Sequence, residues 1–135
     1  MGKVLNVALI GCGRVAGHHA RSIEKIPEIM NLVAVCDLIE EHAKAIANVH
    51  NVPAYTNYYR MLSEHPNIDI VSIITPSGMH YEHAIDIIGR YHKNIVVEKP
   101  TFMRPQQMLD AYALAKEKGC RIFLITKKQI IWKSL

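Results

Sequence analysis

Val4-Leu5-Asn6-Val7-Ala8-Leu9-Ile10-Gly11-Cys12-Gly13-Arg14-Val15-Ala16 joins an apolar run to a glycine turn and then to the start of a helical pattern. Strand, glycine loop, helix is the order that a dinucleotide pyrophosphate requires. It gathers backbone N–H groups at a helix N-terminus and leaves the loop bare enough for the backbone to approach the phosphates. Gly11 fits the tight turn and Gly13 the close approach. Ala16 takes the third small position, where helix and strand pack, with Arg14 and Val15 in the variable places between.

The next apolar run, Leu32-Val33-Ala34-Val35-Cys36, ends in Asp37. Asp37 follows Gly13 at close to the roughly 20-residue spacing of the acid that binds an adenosine ribose. A carboxylate there accepts hydrogen bonds from the ribose hydroxyls and repels a 2′-phosphate. Glu40 and Glu41 add to that repulsion, so NAD is expected in preference to NADP. The competing reading of Asp37 is a cap on the helix that begins near Ile39.

Short apolar runs alternate with helical patterns along the chain, which predicts an α/β fold. The expected form is a Rossmann-type doubly wound parallel sheet of about six strands in a single domain, covered on both faces. Strands are predicted at Val4 to Ile10, Leu32 to Cys36, Ala54-Tyr55, Ile70 to Ile74, Asn94 to Val97 and Arg121 to Ile125. Helices fit Val15 to Lys25, Glu40 to His50, Tyr58 to Ser63, His80 to Ile88 and Pro105 to Lys118, the last with Pro105 in its first turn and Gly119 as its C-cap. The dinucleotide-binding domain is assigned to residues 1–125, and residues 126–135 are set apart as a tail. In such a sheet the ligand sits outside the carboxyl ends of the strands. That singles out Gly11 to Ala16, Asp37, Thr75-Pro76-Ser77 and Glu98-Lys99-Pro100.

The chain has 135 residues, half of them hydrophobic and 21% charged, as expected of one soluble domain with a real core. It contains no apolar run near the roughly 20 residues of a membrane span, and its start lacks a signal peptide's basic head and cleavage site, so a cytoplasmic protein is expected. Three of the 16 basic side chains, Lys127, Lys128 and Lys133, crowd into the last nine residues. The remainder is nearly balanced against the 12 acidic ones, and no basic stripe suggests nucleic acid. The three cysteines, Cys12, Cys36 and Cys120, lack metal-type spacing and are expected as reduced thiols. Cys12 is read as a small space-filling residue; the alternative, from its place near a helix N-terminus, is an oxidation-sensitive thiol of lowered pKa. Eight histidines include the pairs His18-His19 and His80/His83, but no partner completes a zinc-type set, so no metal site is predicted. Tyr55, Tyr58, Tyr59 and Trp132 are read as packing or surface aromatics.

Three segments together resemble the glucose-fructose oxidoreductase, inositol dehydrogenase and MocA (Gfo/Idh/MocA) family. They are Ala8 to Ala16 with His19, then Thr75-Pro76-Ser77-Gly78-Met79-His80, then Val97-Glu98-Lys99-Pro100, in order and spacing over roughly residues 4 to 125. The resemblance implies that the Thr75-Pro76 turn lies beside the cofactor and that Lys99 points at the nicotinamide ribose and the reacting carbon. It also implies that His80 orders the loop. Ser77 stands where the family has Asn, which leaves that contact open. A cation beside the oxygen stabilises the alkoxide that develops as a sugar hydroxyl is oxidised, the role expected of Lys99. The bland reading of Lys99 is an exposed strand-end residue paired with Glu98.

Family members continue into a substrate domain that these 135 residues do not resemble, and the expectation is a truncated chain. A dinucleotide-binding half lacks the second wall that positions substrate, which is worth up to about 7 to 11 kcal/mol of barrier lowering. Weak NAD binding and little turnover are therefore expected from this chain alone. The substrate implied for a complete protein is a sugar or nucleotide-sugar. Ile130, Ile131, Trp132 and Leu135 offer apolar surface for self-association. Two other functions stay open: a non-catalytic NAD-binding regulatory module, and a methyltransferase, which would leave Thr75-Pro76 and Glu98-Lys99-Pro100 unexplained.

Overall fold

From Val7 to Ile10 every residue of β1 (Leu5–Ile10) is at most 3% exposed. A strand covered on both faces has no polar face to alternate with, which is why its hydropathy is continuous. The structure is a computed structural model that describes residues 3–13, 15–98, 102–125 and 130–131. The chain divides into two compact units, Met1–Ile74 and Thr75–Leu135.

In the first unit β1 is followed by α1 (Ala16–Glu24), β2 (Met30–Cys36), α2 (Glu40–His50), β3 (Ala54–Tyr55), α3 (Tyr58–Glu64) and β4 (Ile70–Ile73). The strands pair in parallel in the order β3-β2-β1-β4. The chain thus winds outward from β1 through β2 to β3, then crosses to the other side of β1. That reversal makes the carboxyl end of β1 the topological switch point, where open parallel sheets bind their ligands. Registers level the strand ends: Ile10 lies opposite both Cys36 and Ile73, and Cys36 opposite Tyr55. A shift between Val7 and Ala8, which face Leu32 and Ala34, lets Val33 bulge and sets that level.

α1 turns Ala16, Ala20 and Ile23 inward at helical spacing. Two alanines on that stripe keep the helix axis close to the sheet. α2 has the predicted bounds and ends at Asn51, whose positive φ of 55° closes it in the left-handed region that asparagine tolerates.

In the second unit a 3-10 turn (Ser77–Met79) leads into α4 (His80–Tyr91), then β5 (Asn94–Glu98), α5 (Pro105–Lys118), β6 (Ile122–Ile125) and β7 (Ile130–Ile131). β5 and β6 are parallel, with Val97 opposite Leu124. All six predicted strands are present. β7 adds a seventh, inside the segment set apart as a tail, and runs antiparallel to β6 with Ile131 opposite Leu124. α5 starts at Pro105 and ends at Gly119, φ 71°, as read from sequence.

α4 runs three residues past its predicted end at Ile88. Gly89, inside that extension, is a packing residue: the place where its Cβ would sit is 3.4 Å from a Leu114 methyl on α5. His92, at φ 55°, closes the helix. No helix among the described residues is long and apolar enough to cross a membrane.

Candidate functional site

The glycine loop leaves β1 at the switch point. Gly11 has φ 97°, the left-handed backbone its tight turn demands, and its N–H donates to Cys36 O at 2.8 Å. A Cβ built on Gly13 would meet nothing within 4 Å, so the chain leaves open space above that residue. Ala16, the first residue of α1, is fully buried, and a larger side chain there would push helix from sheet. Val15 caps α1 with no side-chain hydrogen bond, so the first-turn N–H groups gain no partner of that kind. An open cradle beside a helix start without a side-chain cap fits a pyrophosphate. Arg14 lies outside the described residues.

Asp37 does more than the sequence showed. Its Oδ2 accepts from the Cys12 N–H at 2.7 Å and its Oδ1 from the Ile39 N–H at 2.8 Å. Asp37 is not the helix cap of the competing reading, since α2 has Ile39 as its N-cap with no side-chain hydrogen bond; the bond to Ile39 closes a turn before the helix, and the same carboxylate ties the glycine loop to the end of β2. His42 Nδ1 stands 4.0 Å from Oδ1. Leu38 and Ile39, 82% and 48% exposed, present apolar surface right after the acid. The bond to Cys12 spans 25 residues and involves a backbone group, so no side-chain pattern could have announced it.

Cys12 is not the reactive thiol of the alternative reading. Burial, reinforced by the charge of Asp37 and by Cys36, pushes its thiol up to about 12, against a weaker lowering by the Cys36 carbonyl that its Sγ faces at 3.5 Å. Cys36, also buried and close to Asp37, is likewise pushed up to about 12. A helix N-terminus lowers a thiol pKa only where the thiolate can be solvated or paired, and an anionic neighbour removes that condition.

In the second unit, Thr75 is held at two atoms. His80, 3% exposed, donates from Nε2 to the Thr75 carbonyl oxygen at 2.6 Å. Thr75 Oγ1 lies 3.0 Å from His83 Nδ1. Burial lowers the His83 pKa from its ordinary 6.5; Glu82 and Asp86 act in the opposite direction and His80 adds to the lowering. His80 and His83 share one face of α4 at i, i+3. That spacing is visible in the sequence, but what lies opposite His83 is not. Glu98 is the last, half-buried residue of β5. Lys99 and Pro100 lie outside the described residues, as does Trp132.

Tyr55 donates its hydroxyl to Glu64 at 3.0 Å and meets His65 edge-on, a packing aromatic. Among the described residues no three His, Cys, Asp or Glu side chains are grouped to hold a metal ion.

Residues 5–126 match the model of the Gfo/Idh/MocA oxidoreductase family, NAD-binding Rossmann fold. The D-glucoside 3-dehydrogenase of Escherichia coli is 32% identical over 85% of this chain and 32% of its own length. The NAD(+)-dependent scyllo-inositol 2-dehydrogenase of Bacillus subtilis is 29% identical over 83% of this chain and 32% of its own. Among solved structures, the WlbA dehydrogenase of Bordetella pertussis, in complex with NADH and UDP-GlcNAcA, superposes with a TM-score of 0.84 at 27% identity. That match covers 91% of this chain and 37% of WlbA. The chain spans about a third of the length of these relatives. Fold and sequence agree: the chain belongs to the Gfo/Idh/MocA oxidoreductases, through their NAD-binding Rossmann domain.

Proposed function

We propose that this chain is the cofactor-binding half of a dehydrogenase that oxidises a hydroxyl of a sugar or nucleotide-sugar, with NAD preferred over NADP. One observation carries the reading. The glycine loop, open above Gly13, leaves β1 at the switch point and is bonded through Cys12 to the acid that ends β2. When bound, the nicotinamide supplies the acceptor for the hydride that leaves the carbinol carbon.

The chain's own residues do the rest. Gly11, Gly13, Arg14, Val15 and Ala16 form the loop that takes the pyrophosphate, with Gly11 making its turn, Gly13 admitting the phosphates and Ala16 letting helix and sheet close up, and Asp37 takes the adenosine ribose. Thr75, Pro76, His80 and Glu98 shape the nicotinamide side, and Lys99 places a cation beside the oxygen that loses its proton. The glucoside and scyllo-inositol dehydrogenase activities named for the relatives, and the UDP-GlcNAcA in WlbA, support this substrate class. Hydride transfer also needs a wall that positions the substrate and excludes water.

Calorimetric titration of the chain with NAD, NADH, NADP, NADPH and S-adenosylmethionine tests the reading. Selective heat with NAD or NADH is the expected result. Binding of S-adenosylmethionine alone, or of no dinucleotide by a cooperatively folded chain, would overturn it.

A further inference from the structure

We propose that His83 is a positioning residue of the cofactor site: its Nδ1 takes the proton of the Thr75 hydroxyl and fixes that residue as an acceptor toward the ligand. The inference rests on the assignment of the Thr75-Pro76 turn to that site.

Two contacts define the geometry. The His80 Nε2–H holds the Thr75 carbonyl at 2.6 Å, and His83 Nδ1 lies 3.0 Å from Thr75 Oγ1. A carbonyl and a hydroxyl of one residue, pinned by two side chains of one helix face, set both its peptide plane and its χ1. Pro76 restricts the backbone that follows. A neutral imidazole carries one donor and one acceptor nitrogen, and a hydroxyl carries one proton. With Nδ1 as the acceptor, the Thr75 proton is spent on His83, and Oγ1 turns only lone pairs to a ligand. That suits a ribose hydroxyl or a carboxamide N–H. Protonation of His83 reverses the polarity: Nδ1–H donates to Oγ1, and the hydroxyl proton is released outward.

Half-burial favours the neutral ring. Among the described residues the charges that act on it are Glu82 and Asp86, which favour protonation, and His80, which opposes it, all from α4. The Thr75-Pro76 turn contributes none.

The test is NADH titration of the whole chain at several pH values, with His83→Leu, His83→Asn, Thr75→Val and the His83→Leu/Thr75→Val double variant, alongside imidazole nitrogen NMR. Asn places its side-chain oxygen where Nδ1 stands and can accept the same proton. His83→Leu is expected to weaken NADH binding about tenfold, or about 1.4 kcal/mol. His83→Asn should restore binding to within about threefold while removing the loss of affinity expected of wild type as pH falls. Adding His83→Leu to Thr75→Val should cost nothing further, and NMR should show Nδ1 unprotonated at neutral pH. Unchanged binding in His83→Leu, additive costs in the double variant, or a protonated Nδ1 would each overturn the proposal. If wild type binds no NADH, the cofactor reading fails first. NMR then decides the Thr75 contact alone: a Thr75 signal that follows the His83 titration sustains it, and one that does not refutes it.

Discussion

Gly13 and Asp37 show how single residues divide stability from binding. Nothing within 4 Å would oppose a side chain at Gly13, so Gly13→Val should leave the thermal midpoint within a degree or two while abolishing NADH binding, as melting and titration would show. Asp37→Ala should do two things together. It relaxes the preference for NAD over NADP, read as the ratio of the two affinities. It also removes a charged acceptor from the Cys12 and Ile39 N–H groups, costing about 2 kcal/mol in urea unfolding. An unchanged affinity ratio would remove Asp37 from the ribose role. Tyr112 is the converse case: its buried hydroxyl has no hydrogen-bond partner among the described residues, and burial raises its pKa. Tyr112→Phe should therefore stabilise the chain by about 1 kcal/mol.

The elements were legible where local chemistry terminates them. α2 and α5 have their predicted bounds because an acidic first turn and Asn51 delimit one, and Pro105 and Gly119 the other. α4 extends three residues past its predicted end, through Gly89, which packs against Leu114, a tertiary fact that no local signal carries. The bulge at Val33 and the pairing of Ile130–Ile131 with β6 are likewise long-range. For the site, the sequence revealed the glycine loop, the acid after β2 and the Thr-Pro turn as separate pieces. It could not reveal the Asp37 bond to a backbone N–H or the Thr75 hydroxyl opposite His83, since neither leaves a residue-type signature. Gly119→Ala tests an element boundary: the new Cβ has room, yet φ 71° disfavours it, so α5 should lose about 1 kcal/mol, measured by urea unfolding.

At the scale of the whole molecule, His83 links folding to pH. Its pKa in the folded chain is below the ordinary 6.5, so the unfolded chain binds more protons in the window between the two values. The stability that comes from keeping His83 neutral is present above 6.5 and is lost as pH falls through the folded value. Urea unfolding at pH 7.5 and pH 5 should show a smaller difference in His83→Asn than in wild type; equal differences would mean that His83 contributes nothing to the acid limb.

The buried thiols beside Asp37 have a practical consequence. At pH 7 a thiol with a pKa near 12 is ionised in about one molecule in 100,000, too few for alkylation to compete with reaction elsewhere. Cys120, half-buried just after α5, is the most accessible of the three; burial raises its thiol as well, with Lys93 acting in the opposite direction. A maleimide dye should couple once per chain and at that position, leaving the glycine loop unmodified. A fluorescent reporter can thus be mounted on the native sequence, with no cysteine removed first.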